Sequence, residues 1–243
     1  MRLDLHLVES GLCESRARAQ SAIAAGLVRI NGAVADKPSR KIGAGDEVSL
    51  EGEVLRWVSR GGLKLEKALA VFGVDPAGLT CLDLGASTGG FCDVLLAGGA
   101  AKIYAVDVGH GQMHEKIAGD ARVVNLEKTH AKDLSPALVP EPVDLVVTDV
   151  SFISLKKALP PALDLIRHGG HCLALVKPQF EVGRGEIGKG GLVRPARENA
   201  EGVAEDMLAW IAGEGFDPLG WCESPIAGGD GNREFLIGAR KKI

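Results

Sequence analysis

The sequence is poor in several features that mark whole classes of protein. Its five cysteines (Cys13, Cys81, Cys92, Cys172 and Cys222) are odd in number, scattered and never spaced C-x-x-C. Neither a disulfide framework nor a zinc site is expected, no other metal site is read, and a reducing, cytoplasmic setting fits. No apolar signal core follows Met1-Arg2-Leu3-Asp4-Leu5-His6. Charges and glycines interrupt every apolar run before the roughly 20 residues that span a bilayer, so a soluble, unexported protein without a membrane partner is expected. A basic excess is also missing. The net charge is −4 and splits at residue 60 into +1 before and −5 after, so any nucleic-acid footprint has to be local. What is present is ordinary: 243 residues, 46% hydrophobic and 25% charged, enough for a full α/β domain with a small appendage.

Residues 1–55 read as that appendage. Ser15 is a plausible N-cap for a helix reaching about Ala25, with Ala19, Ala22 and Ile23 on one face and Gly26 ending it. Leu27–Ile30 reads as a strand, Asn31-Gly32 as a tight hairpin turn, and Val48-Ser49-Leu50 as a closing strand. Opposite the apolar face lie Arg16 and Gln20, and a loop bearing Lys37, Ser39, Arg40 and Lys41 follows. The cluster suits phosphate contacts, although charge alone equally describes a solvated face.

From Thr80 onward strands and helices alternate. Thr80–Leu84, Ile103–Asp107, Asp144–Asp149 and Cys172–Lys177 are short apolar runs with a polar residue at or next to the end, as buried parallel strands have. Helical stretches are expected at Phe91–Ala97, Ser154–Ile166 and from about Arg197 to Gly213. Arg233–Ala239 reads as a last strand, antiparallel to one near Gly220-Trp221-Cys222. The fold class is α/β: a doubly wound, Rossmann-like, mostly parallel sheet with an antiparallel last strand, preceded by a small α+β domain. The expected division is 1–55, a linker at 56–60 and a large domain at 61–243.

Ligands of open α/β sheets bind beyond the carboxyl ends of the strands, which directs attention to Asp83, Asp107, Asp149 and Lys177. After Asp83 runs Leu84-Gly85-Ala86-Ser87-Thr88-Gly89-Gly90-Phe91, a glycine-rich turn into a helix that brings backbone amides close to a ligand. It is not G-x-G-x-x-G, and G-x-x-x-G-G after an acid is better suited to the methionine end of S-adenosylmethionine than to a pyrophosphate. Asp107 stands where a carboxylate takes both ribose hydroxyls, a requirement NAD shares. Asn125 and Asp133 are candidates for the adenine edge, and Asp133 equally suits a helix cap before Leu134.

A ribose 2'-hydroxyl is a weak acid, and a lysine removes its proton only when neutral. From a reference pKa of about 10.4, that takes burial or a second cation. Lys64, in Ser59-Arg60-Gly61-Gly62-Leu63-Lys64, precedes an apolar helical stripe of Leu65, Ala68, Leu69 and Phe72. Glu234 opens the last strand at the edge where the parallel strands end. Lys64, Asp149, Lys177 and Glu234 are therefore expected to meet, with Lys177 as base, Lys64 lowering its proton affinity and the two acids orienting both.

These motifs carry resemblances. Arg2-Leu3-Asp4, Ser15-Arg16, Ala19-Gln20, Ile23, Gly26, Val28, Asn31-Gly32 and Lys37-Pro38-Ser39 resemble the RNA-binding domain first described in ribosomal protein S-four. The Lys-Asp-Lys-Glu order resembles the tetrad of FtsJ-like ribose 2'-O-methyltransferases. The two together resemble the TlyA family of rRNA methyltransferases, historically also called haemolysin A, essentially end to end. The place of the family's Arg-x-Trp-Val linker, implicated there in cofactor affinity and domain coupling, is taken by the shorter Arg56-Trp57-Val58-Ser59, a departure, and Lys128-Thr129-His130-Ala131-Lys132 departs likewise from a family pattern closer to R-T-N-A-R. The resemblance implies methyl transfer from S-adenosylmethionine to a ribose in ribosomal RNA or ribosomal subunits, most often at cytidine. Arg2, Arg16, Gln20, Lys37, Arg40, Lys41 and Arg60 are expected to hold RNA. So are Arg184, Lys189 and Arg194, on a glycine-rich lid leaving Lys177. A non-catalytic RNA chaperone, a cytolysin and a methyltransferase of other substrates remain alternatives.

Overall fold

A computed structural model describes residues 1–13, 15–24, 26–43, 45–51, 56–182, 200–228 and 231–243. The chain forms two compact units, Met1–Arg56 and Trp57–Ile243.

In the first unit, α1 (Leu3–Glu9) and α2 (Arg16–Ala24) precede a three-stranded antiparallel sheet of β1 (Val28–Ile30), β2 (Ala33–Val34) and β3 (Val48–Leu50), in the order β2-β1-β3. Asn31 and Gly32 both take positive φ (52° and 79°), so the tight turn read from the sequence is made at the residues best able to adopt it. Leu3, Leu7, Ala19, Ala22, Ile23, Val28 and Ile30 form the core. Among them lies a carboxylate, Asp4, fully buried. It accepts two hydrogen bonds from Arg2 (2.9 and 3.0 Å), one from Arg16 (2.8 Å) and one from Gln20 (3.2 Å). The two guanidinium groups, Arg2 first, hold the Asp4 carboxyl well below the usual carboxylate range. The loop bearing Lys37, Arg40 and Lys41 is stapled to the same place, with Leu3 N–H donating to Arg40 O, Asp4 N–H donating to Pro38 O and Arg2 bridged to Lys41.

In the second unit, α3 (Gly61–Phe72) leads into β4 (Thr80–Leu84), α4 (Gly90–Ala97), β5 (Lys102–Val106), α5 (Glu115–Ala118), β6 (Val123–Leu126) and β7 (Val143–Thr148). Then come α6 (Leu155–Ala158), α7 (Pro160–Leu165), β8 (Ile166–Val176), α8 (Pro178–Glu181), α9 (Ala200–Gly213), β9 (Phe216–Glu223) and β10 (Phe235–Lys241). The seven strands run β6-β5-β4-β7-β8-β10-β9. β4, β5, β6, β7 and β8 are parallel, and β10 is antiparallel to both its neighbours. The order reverses beside β4, which places a crevice at its carboxyl end. One apolar layer packs each face of the sheet, with Leu82, Val146, Ala174 and Phe235 in one and Cys81, Leu145, Leu175 and Leu236 in the other, as alternation along each strand requires.

Three expectations need correction. The helix read over Ser154–Ile166 is two helices, because Pro160 and Pro161 are tolerated only in a first turn, so α7 restarts there and Ile166 already begins β8. Asn125 lies within a strand, β6, which its polar neighbourhood concealed. The last strand starts at Phe235, so Glu234 immediately precedes it. The glycine-rich lid and the residues Arg184, Lys189 and Arg194 lie outside the described residues.

Substituting Asp4→Ala should leave two guanidinium groups and an amide without their shared acceptor. We expect a loss of about 1–3 kcal/mol, the range for stranded buried hydrogen-bond partners. Because the native carboxyl is depressed, its contribution is complete above the ordinary carboxylate range and is lost as pH falls below about 4. Urea unfolding at pH 7 and pH 3 checks both, the native chain and the variant differing less at pH 3.

Candidate active site

The carboxyl ends of β4, β7 and β8, the first turn of α3 and the start of β10 all face one crevice. Lys64, near the start of α3, is buried and donates to Glu234 Oε2 at 2.7 Å. Its Nζ is 3.8 Å from Asp149 Oδ2. Lys177 Nζ stands 2.6 Å from Asp149 Oδ1 and donates to Ser151 Oγ at 2.6 Å. A longer bond joins it to the Asp149 carbonyl at 3.4 Å. Asp149 thus lies between the two lysines, and Glu234 takes the charge of Lys64. Sheet register produces the meeting: Phe235 pairs with Val176, so the residue before Phe235 and the residue after Val176 emerge side by side. Glu234 is 3% exposed and Lys64 8%, so neither charge is viable there without the other.

Two clefts meet at this cluster. The polar one, of about 230 Å³, is lined by Arg60, Lys64, Ser87, Thr88, Asp149 and Lys177, with Gly85, Gly90 and Phe91 on its wall. The second, of about 380 Å³, is more apolar, with Val108, Thr129, His130, Val150 and Ile153 around Asp107. Gly85, Ser87, Asp149 and Ser151 border both. At the glycine-rich turn, Gly85 and Gly89 take φ of 86° and 89°, and a Cβ on Gly85 would lie 3.1 Å from Val150 N. Asp107 ties this turn to the next loop, accepting from Ser87 N–H (2.8 Å) and Gly109 N–H (2.6 Å).

Not every expected site residue faces a cleft. Asp83 is wholly buried and borders neither, its Oδ2 accepting from Cys92 Sγ at 3.1 Å and its Oδ1 having no hydrogen-bond partner among the described residues. Burial pushes its carboxyl up to about 7. Gly89 shapes the turn against Ile117. Asn125 and Asp133 are exposed and border neither cleft.

Sequence reasoning gave no role to Ser59, Ser151 or the exposed Phe152, 91% accessible with φ 66°, which border the clefts together with Thr129 and His130 of the Lys128–Lys132 stretch. Glu127 borders neither, but accepts from Gly111 N–H (2.8 Å) and contacts the His110 ring (2.7 Å), clasping the loop that walls the apolar cleft. Those contacts, Gly111 first, hold its carboxyl at about 2. Scanning two residues beyond each strand end, rather than only the terminal one, would have reached Ser151. Thr129 and His130 follow β6, the unrecognised strand.

A mostly parallel sheet that ends antiparallel, a glycine-rich turn after its first strand and a Lys-Asp-Lys-Glu cluster define a methyltransferase domain, and the FtsJ-like methyltransferase profile matches residues 57–241. The S4 domain profile matches residues 1–48. The chain belongs to the FtsJ-like methyltransferase family. It is 44% identical over 241 residues to the 16S/23S rRNA (cytidine-2'-O)-methyltransferase TlyA of Mycobacterium tuberculosis, covering 98% of this chain and 89% of the relative. It is 40% identical over 239 residues to Hemolysin A of Brachyspira hyodysenteriae, covering 97% and 98%. A solved structure from Streptococcus thermophilus, named as a hemolysin, superposes with a TM-score of 0.76 at 45% identity over 100% of this chain and 88% of the other. Among the described residues no helix is long and apolar enough to cross a membrane.

The raised Asp83 carboxyl couples stability to pH. The folded chain keeps a proton that the unfolded chain releases between about pH 4 and pH 7, so this group lowers stability as pH rises through that window and adds no further change above it. Asp83→Asn removes the penalty. Its melting temperature relative to the native chain should rise between pH 5 and pH 8, and a constant difference would show that Asp83 is ionised in the fold.

Proposed function

We propose that the chain methylates the 2'-hydroxyl of a cytidine ribose in ribosomal RNA, with S-adenosylmethionine as donor, in the cytoplasm. The observation that carries this reading is the buried meeting of Lys64, Asp149, Lys177 and Glu234 beside two adjoining clefts. Base methylation at a ring nitrogen has little need for such a cluster, whereas a hydroxyl has to lose its proton as it attacks.

The residues present suit the donor. Asp107, at the end of β5, has the acceptor chemistry for ribose hydroxyls, and the apolar cleft beside it suits an adenine ring. The amides of the glycine-rich turn and the start of α4 favour a carboxylate. When bound, S-adenosylmethionine supplies a methyl carbon on a positively charged sulfur that departs as a neutral thioether. Lys177 Nζ then takes the hydroxyl proton. Asp149 holds the lysine by charge and favours the ammonium it becomes, while Lys64, expected to lower the proton affinity of Lys177, has its charge taken up by Glu234 and backs Asp149 from the other side.

RNA contacts fall to the first unit. Arg2 and Arg16 are 44% and 54% exposed at their side chains, so Asp4 orients them while leaving N–H groups for phosphates. Lys37, Arg40 and Lys41 are exposed beside them, and Arg60 reaches the polar cleft of the second unit. The relative from M. tuberculosis is named for both 16S and 23S rRNA, which supports a ribosomal target and cytidine as the base.

Lys177→Ala separates an enzyme from an RNA chaperone. With purified chain, labelled S-adenosylmethionine and unmodified ribosomal subunits, methyl incorporation should fall about 10²–10⁴-fold, the usual contribution of a positioned base. Donor binding by calorimetry should stay intact. Native-level incorporation by the variant would remove Lys177 from the chemistry.

A further inference from the structure

We propose that Ser151 is a positioning residue for the methyl transfer: its hydroxyl aims the nitrogen of Lys177 at the substrate oxygen. The inference rests on the proposed function and adds a group to its machinery. The contacts of Lys177 are unequal. Asp149 Oδ1 is close, at 2.6 Å, but meets the ammonium as a charge, outside hydrogen-bond angles, and the Asp149 carbonyl is a long acceptor at 3.4 Å. The short, well-directed hydrogen bond is the one to Ser151 Oγ, at 2.6 Å. Coulombic attraction falls off gently with distance and sets no angle, whereas a hydrogen bond weakens steeply off axis. Asp149 therefore holds the charge of Lys177, and Ser151 sets its orientation.

Placement supports the same role. Lys177 is 8% exposed, whereas Ser151 is exposed and borders both clefts, so its hydroxyl sits at the seam where a methyl donor and a substrate hydroxyl have to meet. A neutral lysine has two N–H groups and one lone pair. With one N–H donated to Ser151 and the other to the Asp149 carbonyl, the remaining tetrahedral direction carries the lone pair. The substrate proton moves onto that lone pair, making Lys177 an ammonium, and the electron pair left on oxygen forms the bond to the methyl carbon. Without Ser151 only the long bond to the Asp149 carbonyl directs the amine, and productive orientations become a minority.

The backbone around Ser151 is well determined. Asp149 N–H donates to Leu84 O at 3.2 Å, tying the strand end to β4. Ser154 caps α6 and donates to Glu181 Oε2 at 2.6 Å, and Leu155 N–H donates to Glu181 Oε1 at 2.7 Å. The loop carrying Ser151 is thus tied at one end to β4 and at the other to α8, the helix that directly follows Lys177, which keeps a small hydroxyl at a set distance from a long side chain.

The test compares Ser151→Ala with the matched pair Ser151→Thr and Ser151→Val, which share shape and differ in the hydroxyl. Single-turnover methylation of unmodified ribosomal subunits is measured beside calorimetric affinity for S-adenosylmethionine, with Lys177→Ala as reference. Ser151→Ala and Ser151→Val should be slower by about 10- to 100-fold, part of what a positioned base contributes, while donor affinity stays within about twofold and Ser151→Thr recovers most of the rate. The Thr and Val pair decides the matter if the alanine variant folds poorly. Equal rates for Thr and Val with an inactive Lys177→Ala would overturn the role of Ser151 and leave the proposed function standing. An active Lys177→Ala would overturn both, and a loss explained wholly by weaker donor binding would reduce Ser151 to a cofactor contact.

Discussion

The buried pair between Lys64 and Glu234, 2.7 Å apart and 170 residues apart in sequence, is the constraint to which the rest of the site answers. Taking either ion out of water costs several kcal/mol, and only a close partner offsets it. A one-residue slip of β10 against β8 would turn Glu234 to the other face and strand Lys64, so the pair constrains strand register as well as charge. The same register sets Glu234 beside the strand end that bears Lys177. The antiparallel last strand is therefore part of the chemistry: it alone delivers an acid from its beginning to the edge where the parallel strands finish.

Much of this was legible in sequence because it follows from chain direction. A polar residue ending an apolar strand has one edge to occupy, and Asp149 and Lys177 are found there. Glu234 followed from reversing that rule for an antiparallel strand. The two lysines behave less alike than the sequence suggested, since the short partner of Lys64 is Glu234 and the short directed bond of Lys177 is Ser151. Which donor meets which acceptor depends on side-chain reach, and spacing does not encode it.

Where sequence reading stopped short, the cause is physical. β6 is a partly exposed edge strand, so Val123–Leu126 lacks the apolar run that marked its neighbours, and with it went the placement of Asn125, Thr129 and His130. Asp83 stands inside β4, one residue before its end, and is sealed beneath the turn, whereas Asp107 follows β5 and binds two loops. Asp4, which the sequence marks only as part of the Arg2-Leu3-Asp4 motif, is the buried acceptor that gathers Arg2, Arg16 and Gln20. The near-neutral charge of the first 60 residues is consistent with this: part of their acid serves to orient their base.

The central claim is that the four-residue cluster acts on a ribose hydroxyl. Nucleoside mass spectrometry of ribosomal RNA, treated with the purified chain and labelled S-adenosylmethionine and digested to single nucleosides, tests it most directly. The account predicts label in 2'-O-methylcytidine. Label in a base-methylated nucleoside with no ribose methylation would contradict it.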